Sequence, residues 1–539
     1  MSAMPTWNLK VTTANVSKPL SKSTEKRHLV PMAEKVGAVV DVIKQFIGCL
    51  LLSLFTSSLW AQNDSIPKPF KKKVLEKTQI DMLMSYYGQE GQHAAVTGGI
   101  GNEQLTDINP AIVVRMPMSE DGVLSVDLSF SHYTSASSSN GNPFNTGAST
   151  GGYAEDDDDD YDDDYDDDDD DDDSYGYGAT SDPTGTPWEA STGASRKDVL
   201  TALSVGYAHS SDDRNRIWNI GLSGSFEYDY ESIGFSGGHS WLFFDQNTEL
   251  GLSGQIFFDR WKPIIPTEIH EFQKFGSNFL NHPNSYFNNI TVLDEQGYSR
   301  TDYAPTNFRD FTTTNRNSYS FSVFFSQIIT RKWQMALFAD FLLQEGVLAN
   351  PLQRVYFGDR QDYYIGIASQ IPTYTDPNNR DVFHLADDIE RLPSRRTKTP
   401  MGLRVNGYLS DAVVFRSYYR YYTDSWDIHG HTFQTELPIK LNYQWKITPT
   451  FRWYSQTAAR YFRPYNQHLS TQDYYTSDYD LSAFDSQQWG MGLTYYDLYT
   501  KLKWSGFGLK YVDLRGQIYR RSDGLQAFII SGGLKIEML

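Results

Sequence analysis

Two short segments contain histidines at positions that could bind a metal ion. His270-Glu271 begins like the helix of a zinc protease, but no second histidine follows at the spacing which that motif requires, so the segment is not such a site. His429 and His431 flank one glycine at a strand entry, where a metal site and ordinary loop packing are the two interpretations. One long predicted loop contains four further candidate ligands, which would cluster only if that loop folded over the mouth of the barrel predicted below: Glu268, His270, Glu271 and His282.

A run of acidic residues offers another chemistry, the binding of hard cations by carboxylate oxygens. Residues 155–173 contain Glu155 and 16 aspartates, between stretches rich in Gly and Ser. One interpretation is weak Ca²⁺ capture by carboxylates that include Asp156, Asp157, Asp158, Asp162, Asp166 and Asp170. No glycine interrupts the run as a calcium hand requires, and like charges repel, so the alternative is a solvated, disordered loop. The sequence predicts no other cofactor.

No group of residues indicates catalysis. The chain has no phosphate-binding glycine loop, serine nucleophile elbow or dinucleotide fingerprint in a supporting context. The formal net charge is −20, but the 17 negative charges of the acidic run leave 50 acidic against 47 basic residues elsewhere. Such a nearly neutral remainder argues against a nucleic-acid partner. We therefore expect a protein that is not an enzyme and does not bind nucleic acid.

The N-terminal region is typical of an exported protein. A basic flank containing Lys35 and Lys44 precedes an apolar run at 46–55, and small residues lead to Ala61. The only cysteine, Cys49, excludes a disulfide scaffold and lies near the start of the apolar run with most of the run after it, which disfavours a lipoprotein anchor. The sequence therefore predicts an over-long start or unstructured leader, a signal peptide and a periplasmic segment, at 1–31, 32–61 and 62–77 respectively.

The rest of the chain alternates between apolar and polar residues. Between Trp218 and Tyr228, for example, apolar side chains occupy almost every second position. The mean hydropathy is −0.51, and no apolar run reaches the roughly 18 residues that a membrane-spanning helix needs. The pattern predicts sixteen strands, with fourteen and eighteen as alternatives. They lie near 79–89, 109–118, 122–135, 197–210, 216–231, 234–244, 249–261, 318–329, 333–345, 398–409, 413–424, 431–445, 450–462, 488–498, 506–519 and 525–538.

The connections between these strands alternate between short and long. Short turns are predicted at 119–122, 210–215, 245–248, 330–332, 410–412 and 446–449. Long loops are predicted at 90–108, 136–196, 262–317, 347–397 and 463–487, with the acidic run inside the second of them. Short turns on one side and long loops on the other are typical of an outer-membrane β-barrel. We therefore expect an all-β, antiparallel, up-and-down transmembrane barrel over residues 78–539, with every short turn on the periplasmic side.

The polar positions of such strands would face the lumen. On the earlier strands they are mostly acidic, namely Asp127, Glu227, Asp229, Glu249, Asp259 and Asp340. On the later strands they are mostly basic, namely Arg404, Arg416, Arg420, Lys440, Arg452, Arg460 and Arg515, with Asp513 among them. Opposed charged walls would discriminate solutes by charge in a wet pore. The alternative is that these charges pair across a narrow or plugged lumen.

Two neighbouring segments carry a resemblance to a known family. The segments 85–91 and 95–107, with Asp127 and the stretch 131–137, resemble a large uncharacterised family of exported barrel proteins from Gram-negative bacteria, mainly Bacteroidota. The resemblance extends from about 78 to 539 and is most specific at 96–107. Members are often encoded near a periplasmic flavin transferase and small redox proteins. The resemblance thus implies a part in envelope redox or metal handling, with periplasmic redox or flavin-modified proteins as partners.

The most specific block would form the first outer loop. It contains Thr97, Gly98, Gly99, Gly101 and Glu103, and the glycines permit tight backbone turns. The loop either folds against the barrel wall or binds a partner or an ion.

The sequence as a whole predicts an outer-membrane barrel through which small polar solutes or ions pass. A closed structural or docking barrel in a redox or metal-handling complex is the alternative. Either protein would contact outer-membrane lipid and, during biogenesis, the barrel assembly machinery.

Overall fold

The structure is a computed structural model that describes residues 73–135, 197–227, 230–261, 265–285, 287–288, 290–305, 314–375 and 382–539. The predicted leader and signal peptide, most of the predicted periplasmic segment, the acidic loop and Asp229 lie outside the described residues.

Sixteen strands form the barrel, as the alternating pattern predicts. They are β1 (Gln79–Glu90), β2 (Leu105–Pro117), β3 (Gly122–Ser135), β4 (Lys197–Ser210), β5 (Arg216–Phe226), β6 (Tyr230–Phe243), β7 (Thr248–Trp261), β8 (Asn315–Thr330), β9 (Trp333–Gly346), β10 (Met401–Ser410), β11 (Val413–Thr423), β12 (His429–Glu436), β13 (Trp445–Gln456), β14 (Phe484–Tyr496), β15 (Phe507–Arg521) and β16 (Gln526–Met538). Two short strands continue β10 and β12 beyond prolines, at Arg395–Lys398 and Ile439–Lys440.

The first and last strands close the barrel. β1 pairs with β2 on one side and with β16 on the other, in register from Gln79 opposite Glu537 to Glu90 opposite Gln526. All ladders between neighbouring barrel strands are antiparallel. A closed sheet has no unpaired edge and satisfies its backbone hydrogen bonds internally. The predicted closed antiparallel barrel is therefore confirmed.

The alternation of apolar and polar residues along the strands places apolar side chains on the outside of the barrel and polar or small ones on the inside. On β5, Leu222 and Phe226 point outward and are 50% and 56% exposed, whereas Ser223 points inward toward Ser204 of β4. Leu514 and Ile518 on β15 are likewise outward and 55% and 50% exposed. A band of apolar side chains thus covers the outside of the wall. No described helix has the length and apolar character needed to cross a membrane.

Most strand positions match the prediction, but one predicted turn is wrong. Lys446 lies within β13, and the turn that precedes it is at 441–444. The Asn442 side chain accepts hydrogen bonds from the backbone N–H groups of Gln444 and Trp445, at 2.8 and 3.0 Å, which fixes the turn there. Pro449 is tolerated within β13, because it lies opposite the Leu437–Pro438 break in β12 and its carbonyl accepts from Leu437 at 3.1 Å.

The two ends of the barrel differ. We call the end where β1 begins and β16 finishes the terminal end, and the opposite end the loop end. The described long connections, 91–104, 265–305, 347–394 and 457–483, all lie at the loop end. Three short connections also lie there, after β5, β11 and β15, so the prediction that every short turn falls at the other end is wrong. A tight turn closes any antiparallel pair whichever end of the barrel it occupies.

The long loops have secondary structure of their own. Helix α1 (Thr267–Phe275) lies in the β7–β8 connection. A four-stranded sheet joins Val292–Asp294 and Ser299–Arg300 of that connection to Tyr363–Gly366 and Val382–Leu385 of the β9–β10 connection. We call the described long connections, 91–104, 265–305, 347–394 and 457–483, the loop cap.

The loop cap contains apolar cores of its own. One cluster packs Phe279, Phe287, Val292, Tyr303 and Leu385, from two connections. Another packs loop and strand-end residues together: Tyr422, Trp426, Ile428, Ala459, Phe462 and Leu481. These clusters make the cap a packed body rather than a set of separate loops.

Candidate functional site

The strand register places most of the predicted lumen residues on the inward face. This face is opposite to the exposed apolar band and carries Asp127, Glu249, Asp259, Asp340, Arg404, Arg416, Arg420, Lys440, Arg452, Asp513 and Arg515. Glu227 follows the last residue of β5 and accepts a hydrogen bond from the inward-facing Tyr133 hydroxyl.

Arg460 does not face the lumen. β13 finishes at Gln456, whose side-chain amide donates to the Ser482 carbonyl at 2.6 Å as the chain turns into the next connection. Beyond that turn, Arg460 pairs with Asp427 at 2.5 Å, and both side chains are more than half exposed. The prediction for Arg460 is therefore wrong, because the thirteenth strand is displaced toward the N-terminus from its predicted limits.

The inward face of β4 to β6 is lined largely by small side chains. Facing positions on β5 and β6 pair Gly221 with Ser236 and Ser223 with Gly234. Gly251 and Ser253 continue this surface on β7, which also turns larger side chains such as Phe257 inward. Small side chains leave space inside a sixteen-stranded wall, which is wide enough for an aqueous channel if no segment fills it.

The acidic groups of this half take part in local contacts. The buried Asp259 pairs with the buried Arg316 of β8 at 3.0 Å and accepts from Ser232 at 2.7 Å. Arg316 also lies over the Tyr230 ring, 5.5 Å from its centroid. These contacts join neighbouring strands, so they hold the wall and do not cross the lumen.

The basic half is less completely paired. Arg416 lies 3.8 Å from Glu436, and Arg515 lies 2.8 Å from Asp513. In contrast, Arg404, Arg420 and Arg452 form no ion pair with any residue that the structure describes. The inner wall therefore presents a group of uncompensated positive charges on β10 to β13.

The first-loop motif packs between other loops of the cap. Gly98 and Gly99 have φ of 78° and 91°, which L side chains rarely adopt. A Cβ on Gly98 would lie 2.6 Å from the Tyr356 ring, and one on Gly99 would lie 2.6 Å from the Ser477 carbonyl oxygen. The absence of a side chain at these glycines thus allows three connections to pack closely together. This contact is with the cap, whereas the two alternatives from the sequence were packing against the barrel wall and binding of a partner or an ion.

Other residues of the motif hold its own turn. The Thr97 hydroxyl donates to the carbonyls of Ala94, at 3.2 Å, and Ile100. Gly101 has φ of 93° and pairs with His93 in an isolated bridge. The His93 ring stacks on Tyr479 of the β13–β14 connection, with centroids 3.7 Å apart.

Glu103 is buried where the first loop returns to the barrel. Its carboxylate accepts from the His93 backbone N–H at 3.3 Å, and its carbonyl accepts from the inward-facing Gln89 amide at 3.0 Å. Burial, with the nearby Asp480 carboxylate as a smaller cause, raises the pKa of Glu103 to about 7. The loop is therefore closed over a carboxyl group that holds its proton up to near-neutral pH.

One ion pair joins three connections of the cap. The Arg354 guanidinium donates to both Glu268 carboxylate oxygens, at 2.8 and 3.3 Å, and to the Val96 carbonyl at 3.2 Å. The Glu268 side chain is 2% exposed. Glu268 was singled out in the sequence only as a member of a loop cluster; Arg354 was missed, because its partner lies 86 residues away.

The lumen wall itself anchors the β13–β14 connection. The inward-facing Arg521 of β15 pairs with Asp480 and donates to the Tyr479 carbonyl at 2.8 Å. From β13, the inward-facing Gln456 amide donates to the Asp480 carbonyl at 2.9 Å. Because both anchors point into the barrel, this connection folds toward the lumen at the loop end.

The sequence analysis also did not identify a buried histidine of the cap, His384. His384 is stacked between Tyr356 and Tyr364, at centroid distances of 4.1 and 4.6 Å, and its Nδ1 lies 2.5 Å from the Tyr465 hydroxyl. Burial lowers the pKa of His384, against the opposing effect of Asp362 at 3.5 Å. This cluster joins the cap sheet to the β13–β14 connection, and no periodic signal marks it in the sequence.

The histidine segments do not form a metal site. His429 and His431 accept or donate hydrogen bonds with Tyr421 and Tyr419, at 3.1 and 2.9 Å, on the outside of the wall. His270 lies 3.2 Å from Glu271, and His282 stacks on Phe275. Within the described ranges, no three metal-ligating side chains come together. The proposed calcium-binding aspartates lie outside those ranges.

Comparison with known proteins yields one family and several distant structures. The family model described as "Protein of unknown function (DUF3570)" matches residues 48–535. No curated protein sequence matches the chain significantly.

The solved structures are much more distant. A bacterial polysaccharide outer membrane secretin is 7% identical with a TM-score of 0.35, over 85% of this chain and 98% of its own. A BenF-like porin from Pseudomonas fluorescens Pf-5 is 8% identical with a TM-score of 0.32, over 86% and 100%. A Pseudomonas aeruginosa FadL homologue is 8% identical with a TM-score of 0.32, over 86% and 90%. These scores are low, so no function is inferred from them.

Proposed function

The chain belongs to the uncharacterised DUF3570 family, which confirms the family resemblance seen in the sequence, and from this starting point we propose a function for it. The protein is an outer-membrane barrel that passes small polar solutes or ions through a charged lumen, and its loop cap restricts the path at one end. The observation that carries the proposal is the inward face of β10 to β13, where three arginines form no ion pair with any described residue.

Lipid is the environment that best fits the outside of the barrel. Side chains such as Leu222, Phe235 and Trp489 are 50%, 50% and 60% exposed. Apolar area of this kind is stabilised when lipid rather than water covers it. The terminal end would face the periplasm and the loop end the exterior, because short turns at the periplasmic side and long external loops are the general arrangement.

Water is the environment that best fits the inside. Guanidinium groups without counter-charges are costly in a dry interior. The small inward side chains of β4 to β6 leave room for water opposite the arginines. A wet lumen between a small-residue wall and a basic wall supports passage of polar solutes.

The inward-folded cap favours a second function. Its connections are packed and anchored to the inner wall by Gln456 and Arg521. A barrel that stays capped would serve as a structural or docking protein of an envelope redox or metal-handling complex. The two functions differ in one property, which is whether the capped barrel conducts.

The experiment is single-channel recording of the purified protein in a planar bilayer. Wild type is compared with Arg354→Ala, which removes the three-way contact with Glu268 and Val96. We expect discrete conductance steps in wild type and an open fraction several-fold larger in Arg354→Ala. The matched control is Asp302→Asn, which removes the charge of the exposed Arg300–Asp302 pair but keeps a side-chain oxygen that can still accept from Tyr363. Its open fraction should equal that of wild type.

Heat-modifiable migration in gels would verify that each variant is a folded barrel. Silence in folded wild type and folded Arg354→Ala alike would overturn the passage function and support the docking barrel.

A further inference from the structure

Three arginines that form no ion pair with a described residue occupy adjoining positions on the inner wall. Arg404 of β10 lies opposite Tyr418 of β11, which lies opposite Gln434 of β12, which lies opposite Arg452 of β13. These four residues therefore form one cross-strand row. Arg420 is two residues further along β11 than Tyr418, toward the loop end.

The spacing of strands brings the three guanidinium groups to one area of the wall. Neighbouring strands lie about 4.8 Å apart, so the backbones of Arg404 and Arg452 are separated by roughly 14 Å along the wall. Arg420 is on a strand between them. The inward-facing Tyr454 of β13 is two residues from Arg452 and shares a cross-strand row with Arg420, through Thr432 of β12.

Two donor atoms in this area have no acceptor among the described residues. Nη2 of Arg404 and Nε of Arg420 are out of contact with solvent and make no hydrogen bond with any described residue. A buried donor left without a partner costs free energy, so native proteins normally satisfy it. Elsewhere on the inner wall, Arg416 pairs with Glu436 at 3.8 Å and Arg316 with Asp259 at 3.0 Å. The three arginines thus differ from Arg416 and Arg316, each of which has a carboxylate partner on the same wall.

The residues between the arginines suit an oxyanion. Tyr418, Gln434, Thr432 and Tyr454 are neutral side chains with hydroxyl or amide groups. The nearest carboxylate in these rows, Glu436, faces Arg416 and accepts from the Gln434 amide at 3.3 Å, while the Tyr454 hydroxyl donates to Gln456 at 2.6 Å. An oxyanion would therefore meet the positive charge of three guanidinium groups here, beside a carboxylate that already has partners. The planar guanidinium matches carboxylate and phosphate oxygens in a two-bond geometry.

We propose that Arg404, Arg420 and Arg452 form a binding site for a small solute carrying a carboxylate or phosphate group, on the lumen wall near the loop cap. The inference rests on the proposed function in one respect, since a solute reaches the site only through a wet lumen. It goes further by assigning the charge and chemical class of the solute. The site would raise the local concentration of anions and make the channel anion-selective.

The first test measures binding without requiring conduction. Calorimetric titrations of the detergent-solubilised protein use inorganic phosphate in one arm and malonate in the other, at fixed low ionic strength. We expect binding in at least one arm, and the arm with the higher affinity identifies the preferred oxyanion. Each of Arg404→Gln, Arg420→Gln and Arg452→Gln should weaken it about tenfold, which corresponds to about 1.4 kcal/mol. The triple variant should show none.

The matched control is Arg520→Gln. Arg520 lies on the exposed outer face of β15, so the substitution removes one positive charge from the protein without touching the lumen. Its affinity should equal that of wild type. Equal weakening by Arg520→Gln, or no binding by folded wild type in either arm, would overturn the site.

The second test separates the site from the channel. In a salt gradient, the reversal potential of wild type should indicate preference for chloride over potassium, and the triple variant should lose that preference. Oxyanion binding that depends on the arginines in a barrel that never conducts would support the site and reject the channel. Conduction with a selectivity unchanged in the triple variant would support the channel and reject the site.

Discussion

At the scale of single residues, the first loop combines two unusual requirements. Gly98 and Gly99 adopt positive φ because cap residues approach where a Cβ would be. A few positions later, Glu103 is buried beneath the same loop with its pKa raised to about 7. A carboxyl group in such a place makes loop closure depend on pH.

Closure of the first loop should weaken as pH rises. The closed loop retains the Glu103 proton up to a pKa of about 7, whereas an opened, solvated loop releases it near 4.5. Between these values the closed state binds more protons, so raising the pH favours opening. The full pKa shift corresponds to about 3 kcal/mol of free energy that favours the closed loop. This contribution is present below pH 4.5, falls as the pH rises, and is lost above about pH 7.

Hydrogen exchange of residues 91–104 measures this effect. Wild type and Glu103→Gln are compared at pH 5, 6, 7 and 8, so that the chemical dependence of exchange cancels at each pH. We expect equal protection at pH 5 and better protection of Glu103→Gln at pH 8, because glutamine stays neutral and still accepts from the His93 N–H. Equal protection at every pH would contradict the role of Glu103.

At the scale of elements, strands and loops obey different rules. Each strand shows a two-residue period because one face meets lipid and the other faces the lumen, and this pattern is local. The cap sheet instead pairs Tyr364 with Leu293 across two connections, and its apolar residues follow no single period. Cap stability therefore depends on contacts between connections. The buried Arg354–Glu268 pair, together with the bond from Arg354 to the Val96 carbonyl, joins three connections.

Breaking that pair should release the cap. Glu268→Gln leaves the Arg354 charge buried without a counter-charge, which costs about 3–5 kcal/mol when one partner of a buried pair is removed. We expect faster hydrogen exchange across 265–305 and 347–375, with β1 and β16 unchanged.

The control for this variant is Asp302→Asn in the same connection. The Asp302 side chain is 54% exposed in its pair with Arg300, so its removal should leave exchange as in wild type. Faster exchange in both variants would show that the connection is loosened by any change of charge.

At the scale of the whole molecule, the barrel is asymmetric around its axis. β4 to β6 present mainly small side chains to the lumen, whereas β10 to β13 present Arg404, Arg420 and Arg452. The outside of the wall exposes apolar side chains such as Leu222 and Phe235. A charged side chain should therefore destabilise the barrel more on the outer face than on the inner face.

A pair of adjacent substitutions tests which face is wet. Leu222→Arg puts a charge on the outward face and should lower the free energy of unfolding in lipid vesicles by about 2–4 kcal/mol. Ser223→Arg puts the same charge on the inward face and should have a much smaller effect, because lumen water solvates it. Guanidinium titrations of both variants, followed by heat-modifiable migration, give the two values. A larger loss for Ser223→Arg would reverse the assignment of the faces.

The sequence by itself determined the strands, their number and the faces of their side chains, because a strand in a wall between lipid and lumen repeats the same two-residue pattern along its length. Even there, Arg460 was placed on the lumen wall because the pattern does not mark where a strand gives way to a turn. Only the tertiary structure decided how the long connections pack. Gly98 meets Tyr356, and Arg354 meets Glu268, across many intervening residues. The tertiary structure also decided which inward charges are paired. Arg416 and Arg404 both face the lumen, yet of these two only Arg416 lies beside a carboxylate. The reason is that strand register, and not local sequence, determines which residues are neighbours.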